Sequence, residues 1–249
     1  MAGPMIETER LYQRVAQEVG ELIRRGEFPI GQRLPSERDL ARQLGVSRPV
    51  IREAMIALEI AGLVDVRTGS GIYVKKIAPD ISLPAIMSDA GPSPFDVIAA
   101  RKVLEPEIAL IAAAHVSKSD LQGITAALKD MRVAVAEQRD LRPSDRLFHT
   151  RVAAATHNTV LAGMVDQLWE HTMSAIFTGL HPRTGLPGNE TAALQEHALI
   201  LEAVRARDGP AAAMAMRTHL ARVETIMLEE DALEESGAPA RRRRIAKGR

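Results

Sequence analysis

The chain has 249 residues, with 32 Lys+Arg balancing 32 Asp+Glu, 46% hydrophobic residues and no cysteine. That length fits one large or two modest domains at about 100–200 residues each; the apolar content excludes wholesale disorder, and the missing thiols exclude disulfides, zinc–thiolate sites and thiol catalysis. No apolar run approaches the ~18 residues of a membrane span, and Glu7 and Glu9 stand where a secretory signal would be apolar, so a cytoplasmic chain without a membrane partner is expected.

In chain order, the 3–4 spacing of Val15, Val19, Leu22 and Ile23 predicts a first helix over 11–25, closed by Phe28-Pro29-Ile30-Gly31. Ser36 is an N-cap for a second helix over 37–44, with Asp39 in its first turn. Gly45-Val46 makes a tight turn. Ser47 then caps a third helix over 49–61, whose Pro49 stands where a missing N–H costs nothing. Alternating apolar residues on both sides of Thr68-Gly69-Ser70-Gly71 predict a β-hairpin over 62–74. Proline and glycine punctuate 77–95, which reads as a linker. Beyond it the pattern is all helical, with helices expected near 96–115, 118–139, 143–156, 159–180, 189–207 and 210–235. Pro106 is expected to kink or split the first of these, and 181–188 reads as a loop. Residues 236–249, with Arg241 to Arg244, Lys247 and Arg249, read as a disordered basic tail. The fold class is therefore mainly α. A winged helix-turn-helix (three helices plus a hairpin) over 7–76 is followed by an all-α helical bundle over 96–235, and the two are expected to be separate units.

Charge is segregated along this plan. Residues 1–76 carry a net +2, residues 77–236 a net −8, and the tail a net +6, which points to a polyanion bound at one end. Within 33–52 five arginines stand against Glu37 and Asp39. Ser47, Arg48 and Arg52 lie on the first turns of the third helix, the part of a recognition helix that enters the major groove. Arg48 can pair bidentately with a guanine edge, and Ser47 with the helix-start amides suits a phosphate.

The segments Arg33-Leu34-Pro35-Ser36-Glu37-Arg38-Asp39-Leu40-Ala41, Leu44-Gly45-Val46-Ser47-Arg48-Pro49-Val50-Ile51-Arg52-Glu53-Ala54 and Gly69-Ser70-Gly71-Ile72-Tyr73-Val74 resemble the GntR family of bacterial transcription regulators. The resemblance implies DNA contacts from Arg38, Ser47, Arg48, Pro49, Val50 and Arg52, with Thr68 and Gly69 at the wing tip. Many relatives carry threonines or other small polar residues at the two positions after Arg48. Pro49 and Val50 have no side-chain donor for a phosphate. The implied partner is a palindromic double-stranded operator bound by a homodimer.

Seven histidines are the informative residues of the second half. Asp145 and His149 share a helix face at i, i+4, and His197 and His219 sit on two later helices. By spacing alone this set fits either a site for a divalent ion such as Zn, Ni or Mn, or ordinary packed and solvated histidines. The segments Asp145-Arg146-Leu147-Phe148-His149, Glu196-His197-Ala198-Leu199 and Met216-Arg217-Thr218-His219-Leu220 resemble the FadR-type ligand-binding domain, called FCD. That resemblance implies a metal held by Asp145, His149, His197 and His219. It also implies an effector held by Arg101, with Asn158 as a weaker polar wall. The effector class implied is a small carboxylate such as a sugar acid or a hydroxy or keto acid. A ligand-responsive regulator, in the repressor mould, is the leading reading. A metal-dependent enzyme of small organic acids fused to a DNA-binding module is the alternative, and an inert helical dimerisation domain is a third.

Overall fold

The computed structural model describes residues 10–67, 70–75, 91–174, 176–177 and 189–228. Of the linker expected over 77–95, residues 77–90 fall outside them, as do the 181–188 loop and the basic tail; its last two residues, Pro94 and Phe95, already belong to a helix. Helix α1 (Leu11–Arg24) buries Tyr12, Val15, Ala16, Val19 and Ile23 as one stripe. Helix α2 (Glu37–Leu44) starts where Ser36 Oγ accepts the Asp39 amide at 3.2 Å, and it stops at Gly45, whose φ of 67° is the left-handed conformation glycine adopts at no cost. Helix α3 (Arg48–Ile60) follows. Strands β1 (Val64–Arg67) and β2 (Gly71–Val74) pair antiparallel, Val64 opposite Val74 and Arg67 opposite Gly71. A short third edge joins them, since Leu34 donates its amide to Ile72 O at 2.8 Å and Arg33 bridges Tyr73.

Among the described residues the second half forms a helical bundle with six long helices: α4 (Pro94–His115), α5 (Lys118–Ala136), α6 (Arg142–Ala154), α7 (Thr159–His171), α8 (Asn189–Arg205) and α9 (Gly209–Leu228). Two expectations change. Helix α4 runs unbroken through Pro106, which is buried; tertiary packing outweighs the one amide bond that proline forfeits. Helix α7 ends at His171, well before 180, where the Thr172 hydroxyl turns back to donate to Trp169 O at 2.6 Å. No helix among the described residues is long and apolar enough to cross a membrane.

The two halves are not separate in packing. One core holds the apolar side chains of α1, α2, α3 and the hairpin together with Ile98 of α4, Ile176 and Met227 of α9. A second core lies within the bundle, around Ile124, Met131, Phe148, Ile200 and Leu220. Helix α3 therefore does not show one buried stripe. Every residue from Ile51 to Leu58 is buried, because the winged helix covers one side of α3 and the ends of α4 and α9 cover the other. Polar groups close the seam. Tyr12 donates to Gly91 O at 3.0 Å, Arg10 reaches the same carbonyl, and the Ser93 hydroxyl donates to Glu53. Gly91 is obligatory there: its φ is 84°, and a Cβ would stand 2.8 Å from Ser174 Cβ.

Burial pushes the Glu53 carboxyl up to about 7. The Ser93 hydroxyl and Phe95 amide pull it down, and Asp96 adds to the rise. An acid whose folded pKa exceeds its ordinary value of 4.5 contributes stability while protonated; that contribution is complete below pH 4.5 and lost as pH rises through about 7. Glu53→Gln keeps an acceptor oxygen and removes the titration. Its stability relative to wild type is expected to improve by a few kcal/mol between about pH 4.5 and pH 8. Thermal melts across that range check this, and a pH-independent difference between the two proteins would contradict it.

Candidate metal centre and DNA-reading face

The residues expected to meet DNA do not all share one environment. Arg38 on α2 and Ser47 before α3 are exposed, and the Ser47 hydroxyl makes no cap bond; Arg48, Pro49 and Val50 are half-buried on the first turn of α3. Thr68 and Gly69 lie outside the described residues. Arg33 lies against the wing. A Cβ on Gly71, whose φ is 109°, would meet the Arg33 guanidinium at 2.3 Å, so glycine is what lets that side chain cross the hairpin. Arg67 stacks over Tyr73, 4.4 Å from the ring centroid, and donates to Asp65 at 2.8 Å.

Arg52 is corrected by the structure. It is 4% exposed. Its guanidinium donates to Glu37 at 3.1 Å and, from Nη1, to the Met227 carbonyl at 2.6 Å. Four residues beyond Arg48, it is a full turn further along α3, where the helix has already entered the core. It holds the helix in place rather than facing a phosphate.

In the bundle, α6 presents Asp145 and His149 one turn apart, α8 presents His197 and α9 presents His219. One donor atom from each lies within 4.8 Å of all the others. His197 Nε2 is 2.9 Å from Asp145 Oδ1 and 3.2 Å from His149 Nε2, and His149 Nε2 is 3.3 Å from the same oxygen. The far side of each ring is pinned. His149 Nδ1 bonds Glu105 of α4, His197 Nδ1 donates to Ala193 O at 2.7 Å, and His219 Nδ1 meets Glu196 Oε2 at 3.0 Å. A carbonyl or carboxylate can only accept, so each Nδ1 carries the proton, and the Nε2 atoms of His149 and His197 face each other and the Asp145 carboxylate.

Electrostatics follow from this crowding. Burial and the neighbouring His197 press the His219 imidazole down to about 4, leaving it neutral. Burial acts most strongly, to lower His149, but the charge and hydrogen bond of Glu105 together with the hydrogen bond to Asp145 overcome it and the group is pushed up. Burial would raise Asp145; the imidazoles of His197 and His149 win and hold it well below the usual carboxylate range. Lone pairs and a carboxylate brought together in a dry site require a positive charge among them. Among Asp145, His149 and His197 the edges of 2.9–3.3 Å match the roughly 3.0–3.4 Å separating neighbouring ligands around an ion bonded at ~2.1 Å; His219 completes the set within 4.8 Å. The donor set of three nitrogens and one oxygen fits a divalent transition ion. Only Asp145 keeps exposure, 23% of its side chain, so the open side lies there.

Beside this cluster Arg101 is 3% exposed, donates from Nε to Glu105 Oε1 at 2.6 Å, and stacks 4.1 Å above the Trp169 ring centroid. Its Nη2 and the Trp169 indole nitrogen are both buried without a hydrogen-bond partner. Asn158 does not join them. It is exposed and caps α7, accepting the Val160 and Leu161 amides at 3.0 and 3.3 Å. Sequence reasoning missed Glu105, Glu196 and the Trp169 donor. Glu105 was signalled by its i, i+4 spacing from Arg101; Glu196, reaching across to α9, had no such sign.

A helix start carrying Arg48 and the exposed Ser47 beside a hairpin wing, packed on a helical bundle with a polar buried site, fits a DNA-binding transcription regulator. Residues 11–74 match the family model "Bacterial regulatory proteins, gntR family" and residues 96–222 match the FCD domain. A "Uxu operon regulator" from Haemophilus influenzae is 33% identical over 228 residues, covering 91% of this chain and 85% of that protein. A "Uxu operon transcriptional regulator" from Escherichia coli is 35% identical over 231 residues, 89% of this chain and 88% of the relative. A third, named as the regulator of an L-lactate dehydrogenase operon in E. coli, is 30% identical over 230 residues, with 89% and 88% covered. The chain belongs to the GntR family of bacterial regulators, in the branch that carries an FCD domain. It is a ligand-responsive DNA-binding regulator, and the alternative of an enzyme is set aside, since family and relatives are regulators throughout.

Removing the Arg48 guanidinium by Arg48→Ala is expected to weaken specific DNA binding by ~1–3 kcal/mol and to relax preference at one base pair per half-site. Titrating the variant on specific and random duplexes checks it; equal losses on both would make Arg48 a backbone contact.

Proposed function

We propose that this protein is a metal-containing sensor of a small carboxylic acid that controls, as a cytoplasmic homodimer on a palindromic operator, the genes for that acid's catabolism. Asp145, His149, His197 and His219 hold one divalent ion per chain, Zn, Ni or Mn. The observation that carries this reading is the convergence of three imidazoles whose outer nitrogens are already committed to Glu105, Ala193 O and Glu196. When bound, the ion supplies a Lewis-acidic anchor for an effector oxygen.

The effector class follows from charge and from the two idle donors. With a divalent ion and neutral imidazoles, the buried set of Arg101, Glu105 and Asp145 is left with one positive charge in excess. One carboxylate neutralises it, which the cost of buried net charge demands. Arg101 Nη2 is placed to donate to that carboxylate, and the Trp169 indole N–H to a further oxygen; each stays unsatisfied otherwise, at about 1–3 kcal/mol. An acid carrying a hydroxyl or keto oxygen besides its carboxylate answers both. The relative named for an L-lactate dehydrogenase operon supports the class, lactate being a 2-hydroxy acid.

Elemental analysis of the purified protein should find one equivalent of metal per chain, and chelation should lower the melting temperature, because the ion ties α6, α8 and α9 together. His197→Ala is expected to lose the metal. Arg101→Met, by contrast, should keep it and lose the response of DNA binding to a panel of hydroxy and keto acids. Stoichiometric metal in His197→Ala would remove the basis of the site.

A two-fold operator needs two reading heads, and one winged helix buries too little surface for tight specific binding. Sedimentation at micromolar concentration is expected to give about twice the chain mass of 27.1 kDa. A monomer both free and on DNA would contradict the dimer.

A further inference from the structure

The DNA-reading helix is held by two adjacent residues. Arg52 Nη1 donates to Met227 O at 2.6 Å, near the C-terminal end of α9, while Glu53 accepts the Ser93 hydroxyl and, at 3.4 Å, the Phe95 amide, at the N-terminal start of α4. Successive residues on a helix point about 100° apart, so two different helices grip α3 from two sides. Those helices also frame the sensor site. His219 lies eight residues before Met227 on α9, and Arg101 eight residues after Ser93; each separation is about 12 Å of continuous α-helix. Lys102, next to Arg101 on α4, forms an ion pair with Glu224, which lies between His219 and Met227 on α9, and α4 packs along α9.

We infer that Arg52 and Glu53 are positioning residues through which the sensor site sets the placement of the recognition helix: α4 and α9 act as two rods that carry Arg101 and His219 part-way along and hold α3 at one end. The inference rests on the metal and effector reading proposed above. Its physical content is that α3 is bonded directly to the rods, so a shift of α4 against α9 on ligation moves the points that fix α3. A contact that merely glued the two halves together would hold α3 equally with the site filled or empty. Arg52 carries a further load, since its guanidinium also joins α3 to α2 through Glu37. A displacement at Met227 therefore reaches the whole helix-turn-helix and not α3 alone.

The test is amide hydrogen exchange on the full-length protein, stripped with chelator and then given one equivalent of zinc. The peptides compared cover α3, α6 and α8, with α1, which packs on α3 in the same core, as reference. In wild type, zinc is expected to slow exchange in α6 and α8 and to slow it in α3 by about fivefold or more, the low end of ordinary coupling, and by more than in α1. In Arg52→Lys combined with Ser93→Ala, the α6 and α8 responses should remain while the α3 response falls to the level of α1. Each single variant should lie between, which keeps the comparison open should the double variant fold poorly. Protection of α6 and α8 with no added protection of α3 over α1 in wild type overturns the coupling and leaves the metal site standing. A full α3 response surviving in the variants overturns it as well. No zinc response in α6 or α8 overturns the site, and the coupling with it.

Discussion

The interior polar groups of the bundle are arranged around one tight cluster, a carboxylate and three imidazoles brought together from three helices. One donor atom each from Asp145, His149, His197 and His219 lies within 4.8 Å of the others, and each histidine is pinned through Nδ1 by an acceptor. Such a cluster is held by its surroundings and could hold a metal ion. The surroundings are extensive: Glu105 from α4, the backbone of α8 and Glu196 on the same helix all act on rings borne by α6, α8 and α9. Phe148 adds an edge-on contact to His197 at 4.8 Å between centroids. Outer partners of this kind fix tautomer and ring orientation, and so matter nearly as much as the ligands.

The bundle's ends are spent on a different task. Helix α3 is buried on all sides because the first core extends past the winged helix into Ile98, Ile176 and Met227. A recognition helix needs its first turn free for a groove, and here the division falls within about a turn and a half: Ser47 is exposed, Arg48 half-buried, and Arg52 enclosed. The same segment is thus a reading surface at its start and a structural strut thereafter.

Much of this plan was legible in the sequence for identifiable reasons. Ser36 and Ser47 precede helices at the positions caps occupy, the hairpin alternates about a glycine turn, and Asp145 and His149 share a face by spacing alone. What was not legible depended on long-range contacts. Arg52 carries the same charge and family position as its neighbours, and only the docking of α9 onto α3 shows that it is enclosed. Asn158 was read as a cavity wall, although an asparagine just before Thr159-Val160-Leu161 is first of all a cap. Pro106 looked like a break because propensity is local, whereas the cost of one lost amide bond is small beside the burial of a 22-residue helix. Whether the histidines formed a site could not be decided from spacing, since convergence across three helices is a tertiary fact.

The shared core has a bearing on how such regulators can be recombined. A reading head joined to its sensor by a linker alone could be transplanted between relatives to redirect a switch to new promoters. Here the head ends in a socket shaped by Ser93, Phe95 and Ile98 at one side and by Val223 and Met227 at the other. A chimera cut in the linker would set a foreign α3 against that socket. Functional exchange would require the graft to carry the first turn of α4 and the last turns of α9 with it, so the heritable module is wider than the DNA-binding fold itself.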